Sequence, residues 1–336
     1  MTIEALNLEV DQDRGKSGGW PEDLIYNAKE EAGSVQTTVT VADSAKYSVW
    51  KRIDPWGLSF FETVKAENTH KPIRLRFSVP DPKTQADKCQ YEALKRRLSY
   101  LAQANDFRKQ ISLMRGDLED ELYSWADLTN RPDNEVIHTD FSVKSDTDKP
   151  GRLEKDFQAY LFGKGLYENS GPDVKRTNER LALLGPDFVR IQKVTSFKNQ
   201  KGFKVEREFP TGVFDVEVKN GTRVLPTEHV DLVTLNRRGE LAVIELKFDA
   251  NDLEVVAQVL NYALFFHSYR SKLDAVLKSR FGCSTEGRKL VTYLVSNAFH
   301  PRFKLVWPYY SRNPRLLNLK YVVMGHMPDA ETANVD

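Results

Sequence analysis

Cysteine is scarce: Cys89 and Cys283 are the two in a chain of 336 residues. Two thiols make neither a disulfide framework nor a cysteine-based zinc site, and a reducing, cytoplasmic setting is expected. No stretch approaches the roughly 18 consecutive apolar residues of a membrane span, so no membrane partner is expected. The opening "MTIEALNLEVDQDRG" is acidic and has no apolar core, which argues against a standard secretion signal. The six histidines include no H-E-x-x-H pattern, so zinc hydrolysis has no support. "GKSGG" at Gly15–Gly19 lacks the first glycine of a phosphate loop and follows no strand; it reads as a flexible linker.

What is present is ordinary for a globular chain: 40% hydrophobic and 29% charged residues. The net charge of +1 hides an uneven split. Residues 1–150 carry 21 Lys and Arg against 26 Asp and Glu, and residues 151–336 carry 28 against 22. The mildly basic second half is compatible with a phosphate-rich partner and equally with ordinary solvated surface.

The length predicts two or three domains, and the composition is read as two. Residues 1–35 read as a flexible segment, 36–148 as an N-terminal α+β recognition or accessory domain, and 149–330 as a second domain. The boundary is placed in the polar, turn-rich "NRPDNEVIHTDFSVKSDTDKPGR". In the first half, β-branched and aromatic residues predict strands from "TTVTV" through "FSVP", and Tyr91, Leu94, Leu98 and Leu101 predict a helix. A second helix is expected around Leu113–Ala126. The second half opens with a helix, "RLEKDFQAYLFGKG", followed by a short one in "TNERLALLG". A β meander, a long helix "DLEVVAQVLNYALFFHSYRSKLDAVL", and the strands "KLVTYLVSN" and "LLNLKYVVMGHM" complete it. The fold class is α/β, a mixed central sheet flanked by helices.

"DLVTLNRRGELAVIELK", Asp231 to Lys247, is the most informative stretch. It reads as a hairpin whose three-residue loop ends in Gly239, a residue free to adopt left-handed backbone. With Asn236 facing Glu240, Asp231 falls directly opposite Glu245. Alternation puts Glu245 and Lys247 on one face. Opposed Cβ atoms lie roughly 4.5–5.5 Å apart. Two carboxylates about 5 Å apart repel by roughly 3 kcal/mol at an effective dielectric near 20. A divalent cation offsets this, and Mg²⁺ takes hard oxygen ligands while keeping several waters. Lys247 beside it can position water or stabilise charge on a phosphate. A solvent-facing row of charges is the competing explanation. Gln258 and Tyr262, four apart on the next helix, and Glu154, at the edge of an apolar stripe, weigh against it.

These residues resemble a known superfamily. Asp231 followed by Glu245-Leu246-Lys247 looks like the D…(D/E)-x-K signature of the PD-(D/E)XK nucleases, the restriction-endonuclease-like fold. "QVLNY", Gln258 to Tyr262, is similar to the Q-x-x-x-Y motif of the RecB-like branch. The NucS/EndoMS-type nuclease domain and the Shedu antiphage nucleases share a comparable layout. The resemblance covers about residues 150–300 and is sharpest over 228–265; Val230 replaces the nominal proline. It implies metal-dependent phosphodiester hydrolysis with Mg²⁺ or Mn²⁺. Asp231, Glu245, the Leu246 carbonyl and Glu154 would be ligands, and Lys247 would serve the water or transition state. Gln258 and Tyr262 would position the lysine or the nucleic-acid backbone. DNA is favoured over RNA, with an endonuclease of phage defence or DNA repair expected, and a homo-oligomer to cut both strands. The alternative is a non-catalytic nucleic-acid-binding protein that keeps the fold.

Other residues rank lower. His229 is expected as a polar neighbour of the site, and Glu208, Asp215 and Glu217 as strand surface or backup ligands. Asn297, His300 and Arg302 are loop-capping or phosphate-contacting residues. Arg237 and Arg238 sit at the hairpin tip. The aromatic and basic "YSVWKRIDPWGLSFF" is assigned to core or a dimer interface ahead of single-strand binding.

Overall fold

The computed structural model describes residues 2–16, 19–31, 33–42, 47–67, 70–138, 157–158, 161, 181–188, 205–248, 252–281 and 284–324. Glu154, Cys283 and the expected boundary near residue 148 lie outside them, as does most of the helix expected over 152–165. The protein is α/β, with mixed sheets flanked by helices. Among the described residues, no helix is long and apolar enough to cross a membrane.

The first sheet runs β1-β2-β3-β4-β5 in spatial order. Its strands are β1 (Leu24–Glu31), β2 (Ser34–Val41), β3 (Ile73–Val79), β4 (Ile111–Arg115) and β5 (Leu118–Asp120). β2, β3 and β4 are parallel, and each edge strand is an antiparallel hairpin partner. Two parallel neighbours need a crossover, and helices supply both. Helix α2 (Ile53–Glu67) joins β2 to β3, and α3 (Gln85–Ala104) joins β3 to β4. Thr84 caps α3 with a reciprocal pair of bonds: its hydroxyl accepts from Asp87 N at 3.2 Å, and Asp87 Oδ2 accepts from Thr84 N at 2.8 Å. Gly116, at φ +57°, is the first loop residue of the β4–β5 hairpin, where a two-residue turn requires positive φ.

Three expectations for this half are corrected. Residues 1–35 contain α1 (Ile3–Gln12) and β1, with Leu6, Val10, Trp20 and Leu24 buried. The predicted strands over "YSVWKRIDPWGLSFF" are instead a 3-10 turn, Tyr47–Lys51, and α2. Ile53, Trp56, Phe60, Phe61 and Val64 recur at helical spacing, and Pro55 stands in the first turn, where a missing N–H costs nothing. The helix expected around Leu113–Ala126 is β4, β5 and the short α4 (Trp125–Thr129).

The second sheet has the order β13-β12-β11-β10-β7. Its members are β7 (Glu206–Pro210), β10 (His229–Leu235), β11 (Leu241–Lys247), β12 (Leu290–Ser296) and β13 (Asn318–Val323). β10 is antiparallel to both neighbours, while β11, β12 and β13 are parallel. The expected long helix is two, α5 (Glu254–Ser268) and α6 (Arg270–Phe281), and α7 (Phe303–Ser311) fills the β12–β13 crossover. The chain bends at Tyr269, whose hydroxyl donates to Glu135 Oε2 at 2.8 Å. Part of the expected meander is diverted into a third, antiparallel sheet, β6-β8-β9: β6 (Glu135–Ile137), β8 (Val213–Asp215) and β9 (Arg223–Leu225).

α5 is apolar nearly all round, so it must be covered on every side. One apolar cluster holds Leu98 and Leu101 of α3 with Leu260 and Leu264 of α5 and Val306 and Tyr310 of α7. That burial fixes α5 against elements from both halves of the chain, and α5 in turn bears Gln258 and Tyr262.

Candidate active site

The β10–β11 hairpin closes over Arg237, Arg238 and Gly239, with Gly239 at φ +72°. Asn236 N donates to the Glu240 carbonyl at 3.0 Å. Leu232 pairs with Ile244, Val233 with Val243, Thr234 with Ala242 and Leu235 with Leu241. This is the register expected from the loop, and continued by one residue it would set Asp231 opposite Glu245.

Both carboxylates are buried, Asp231 at 4% exposure and Glu245 at 1%. The Lys247 ammonium lies 2.7 Å from Glu245 Oε1, as two same-face neighbours on a strand allow. Asp231 is held differently. Its Oδ2 accepts the backbone N–H of Leu246 at 2.8 Å, and its Oδ1 accepts Gln158 Nε2 at 3.1 Å. Gln158 Nε2 also donates to the Asp231 carbonyl at 2.9 Å, while Arg207 Nη2 donates to Gln158 Oε1 at 3.0 Å. Arg207 thus fixes which end of the amide faces Asp231. Neither Gln158 nor Arg207 was singled out in the sequence. The available signal is spacing: Gln158 follows Glu154 by four residues, one turn of the helix that the sequence predicts there.

Gln258 and Tyr262 meet each other. Gln258 Nε2 donates to Tyr262 Oη at 2.7 Å, and Tyr262 Oη donates to the His229 carbonyl at 3.1 Å. They anchor the start of β10, two residues before Asp231. Tyr262 is 1% exposed, which removes it from a solvent-borne nucleic-acid backbone. Burial, and then the charges of Glu245 and Glu228, push its pKa well above the ordinary tyrosine value. It remains a protonated donor at any working pH.

Glu208 stands in β7 between Phe209, which pairs with Val230, and Arg207, which pairs with Leu232. Its φ of +50° is uncommon for a residue with a Cβ and marks local strain beside the carboxylate pair. Asp215 and Glu217 belong elsewhere: Asp215 accepts from Asn134 in the third sheet, and Glu217 pairs with Lys219 at 2.6 Å. His300 Nδ1 accepts Arg302 N at 3.1 Å, a loop cap. The Arg302 guanidinium sits 4.1 Å from the Trp20 ring centre, turned into the fold. Arg238 pairs with Glu240 at 3.0 Å and Asp187 at 3.4 Å, at the end of the hairpin away from Asp231.

Among the described residues, no group of three or more His, Cys, Asp or Glu side chains is arranged to hold a metal ion. The buried pair Asp231 and Glu245 supplies two hard-oxygen donors, and the third expected ligand, Glu154, lies outside the described residues. No family model matches this chain, and no curated protein matches it.

Proposed function

We propose that the chain is a divalent-metal-dependent nuclease of the PD-(D/E)XK type, acting on DNA in preference to RNA. The carrying observation is the hairpin register, whose last pair, Leu232 with Ile244, stands next to the buried Asp231 and Glu245, with Lys247 2.7 Å from Glu245. Burying two facing carboxylates is costly unless positive charge meets them. A hard dication fits that donor set. Asp231 and Glu245 would hold it, with the Leu246 carbonyl and Glu154 as further oxygens. Bound there, it would supply Lewis acidity and a water of lowered pKa. Lys247 would orient that water or meet charge developing on the phosphate, and Gln158 and Tyr262 would keep Asp231 in place. The second sheet supports the restriction-endonuclease-like reading: strands in chain order, only the second antiparallel, with helices in the later crossovers. In this reading the N-terminal sheet recognises or regulates, and the enzyme serves phage defence or DNA repair as a homo-oligomer.

One observation favours the runner-up, a non-catalytic nucleic-acid binder. Both Asp231 oxygens already accept hydrogen bonds, as a purely structural aspartate would. Cleavage of supercoiled plasmid, linear duplex, single-stranded DNA and RNA separates the two. The reactions contain Mg²⁺, Mn²⁺ or EDTA and are run beside Glu245→Ala and Lys247→Ala. Metal-dependent cutting lost in both variants is the expected result. DNA retention on a gel without cutting, and without any metal-induced shift in melting temperature, would establish the binder instead.

A further inference from the structure

A groove of about 860 Å³ lies at the end of the second sheet opposite the carboxylate pair. Leu290 and Asn318, at the starts of β12 and β13, line it. Along β12, Leu290 pairs with Leu241 and Ser296 with Lys247, so six residues, about 20 Å at the usual rise, separate it from Lys247. Its volume falls within the roughly 300–1,000 Å³ of small-molecule sites.

The lining is strongly cationic: Arg238, Arg270, Arg288, Lys289, Arg315 and Lys320, with Glu240 the one acidic residue among the lining groups. Arg238 is met by Glu240 and Asp187, and Lys320 by Asp187 at 2.5 Å. Arg270 and Arg288 donate to backbone carbonyls. Arg270 Nη2 donates to the Thr285 and Arg288 carbonyls at 2.5 and 2.7 Å. Arg288 Nε donates to the Ser284 carbonyl at 2.8 Å, and its Nη1 to the Gly239 carbonyl at 2.9 Å. Arg270 Nε is buried and has no hydrogen-bond partner among the described residues. Burial lowers the Arg270 pKa, and the Arg288 charge lowers it further against the pull of Asp274. Two guanidinium groups oriented by backbone carbonyls share one concavity with Lys289 and Arg315, an arrangement suited to an anion. Leu290, Pro314 and Leu316 add an apolar wall on the same groove.

We propose that this groove binds a nucleotide. Arg270, Arg288, Lys289 and Arg315 take its phosphates, and the apolar wall takes its base. Convergence of the cations on one concavity favours a compact polyphosphate over a duplex, whose evenly spaced phosphates call for an extended basic track. The inference does not rest on the catalytic reading, since the two sites occupy opposite ends of the strands.

The test is calorimetric titration of ATP, tripolyphosphate and a short single-stranded DNA into the full chain and into Lys289→Ala/Arg315→Ala. Both residues are exposed, so the variant keeps the fold, and a melting curve checks this. ATP is expected to bind the full chain and to bind the double variant at least about tenfold more weakly, the scale of losing charged hydrogen bonds. Tripolyphosphate should bind more weakly than ATP, because it lacks the base. Glu245→Ala should bind ATP as the unaltered chain does, so this result stands apart from the nuclease assay. No binding of ATP at millimolar concentration, or equal binding by the double variant, would overturn the proposal. So would loss of DNA binding alone, which would make the groove a strand track.

Discussion

Asp54 and Arg97 form a two-pronged ion pair with neither side chain exposed. Arg97 Nε lies 3.1 Å from both Asp54 oxygens, and Nη2 lies 2.8 Å from Oδ1. The other donors of Arg97 reach the Trp50 carbonyl at 2.7 Å and Asn261 Oδ1 at 3.1 Å, and Tyr310 Oη donates to Asp54 Oδ2 at 2.7 Å. The network ties α2 and α3 to α5, one residue from Tyr262. Asp54→Ala leaves a buried guanidinium without its counter-charge, which costs about 3–5 kcal/mol. The expected outcome is a large fall in the urea midpoint; a change of under about 1 kcal/mol would contradict a dry pair.

Gly57 lets α2 approach β3. A Cβ built there would collide with Phe77 Cε1, inside any real contact distance. Gly57→Ala should therefore destabilise by about 1–3 kcal/mol, despite alanine's better helix propensity. Phe77→Leu in the same chain should recover part of the loss, giving a non-additive double-mutant cycle in chemical denaturation.

Tyr262→Phe removes the donor to the His229 carbonyl and strands the Gln258 amide. A stability loss of about 1 kcal/mol is expected from the lost hydrogen bond. On the nuclease reading, cutting slows while the metal concentration for half-maximal rate stays near its original value, because Tyr262 holds backbone and not ligand oxygens. A large shift in metal requirement would place Tyr262 in the metal site instead.

Burial raises the pKa of Tyr100, Tyr262, Tyr293 and Tyr310, and pushes Tyr269 up to about 12. In the unfolded chain these phenols ionise near pH 10, while in the folded chain they keep their protons. The unfolded state therefore binds fewer protons above pH 10, and stability is full below that pH and falls as pH rises past it. Each such group removes about 1.4 kcal/mol per pH unit in that range. Urea midpoints from pH 8 upward, read with tyrosinate absorbance, should show ionisation and unfolding together. Tyr310→Phe should flatten the slope by one group's share.

The hairpin register was legible because a three-residue loop ending in glycine leaves little choice, and alternation then carries it to Asp231 and Glu245. The Gln258–Tyr262 pairing was legible from a four-residue spacing, but its target was not. Nothing local says that a tyrosine hydroxyl will meet a carbonyl on a strand thirty-odd residues earlier. Strand was expected over 47–67 because aromatic and β-branched residues are common to both states, and the helical period in Ile53, Trp56, Phe60 and Val64 was outweighed by composition. Gln158 was missed because an amide carries no chemical signature until something orients it.

By itself the sequence determined the α/β class, the hairpin, its register and the residues on each face, because these follow from chain geometry over a few residues. The tertiary structure alone decided that Arg207 orients Gln158 onto Asp231. It alone decided that α5 is locked to the first half of the chain through Arg97 and Asn261, and that scattered arginines converge on one groove. Those are contacts between segments far apart in the chain. Their energy comes from burial and from the pairing of desolvated polar groups, which exist only once the core has closed.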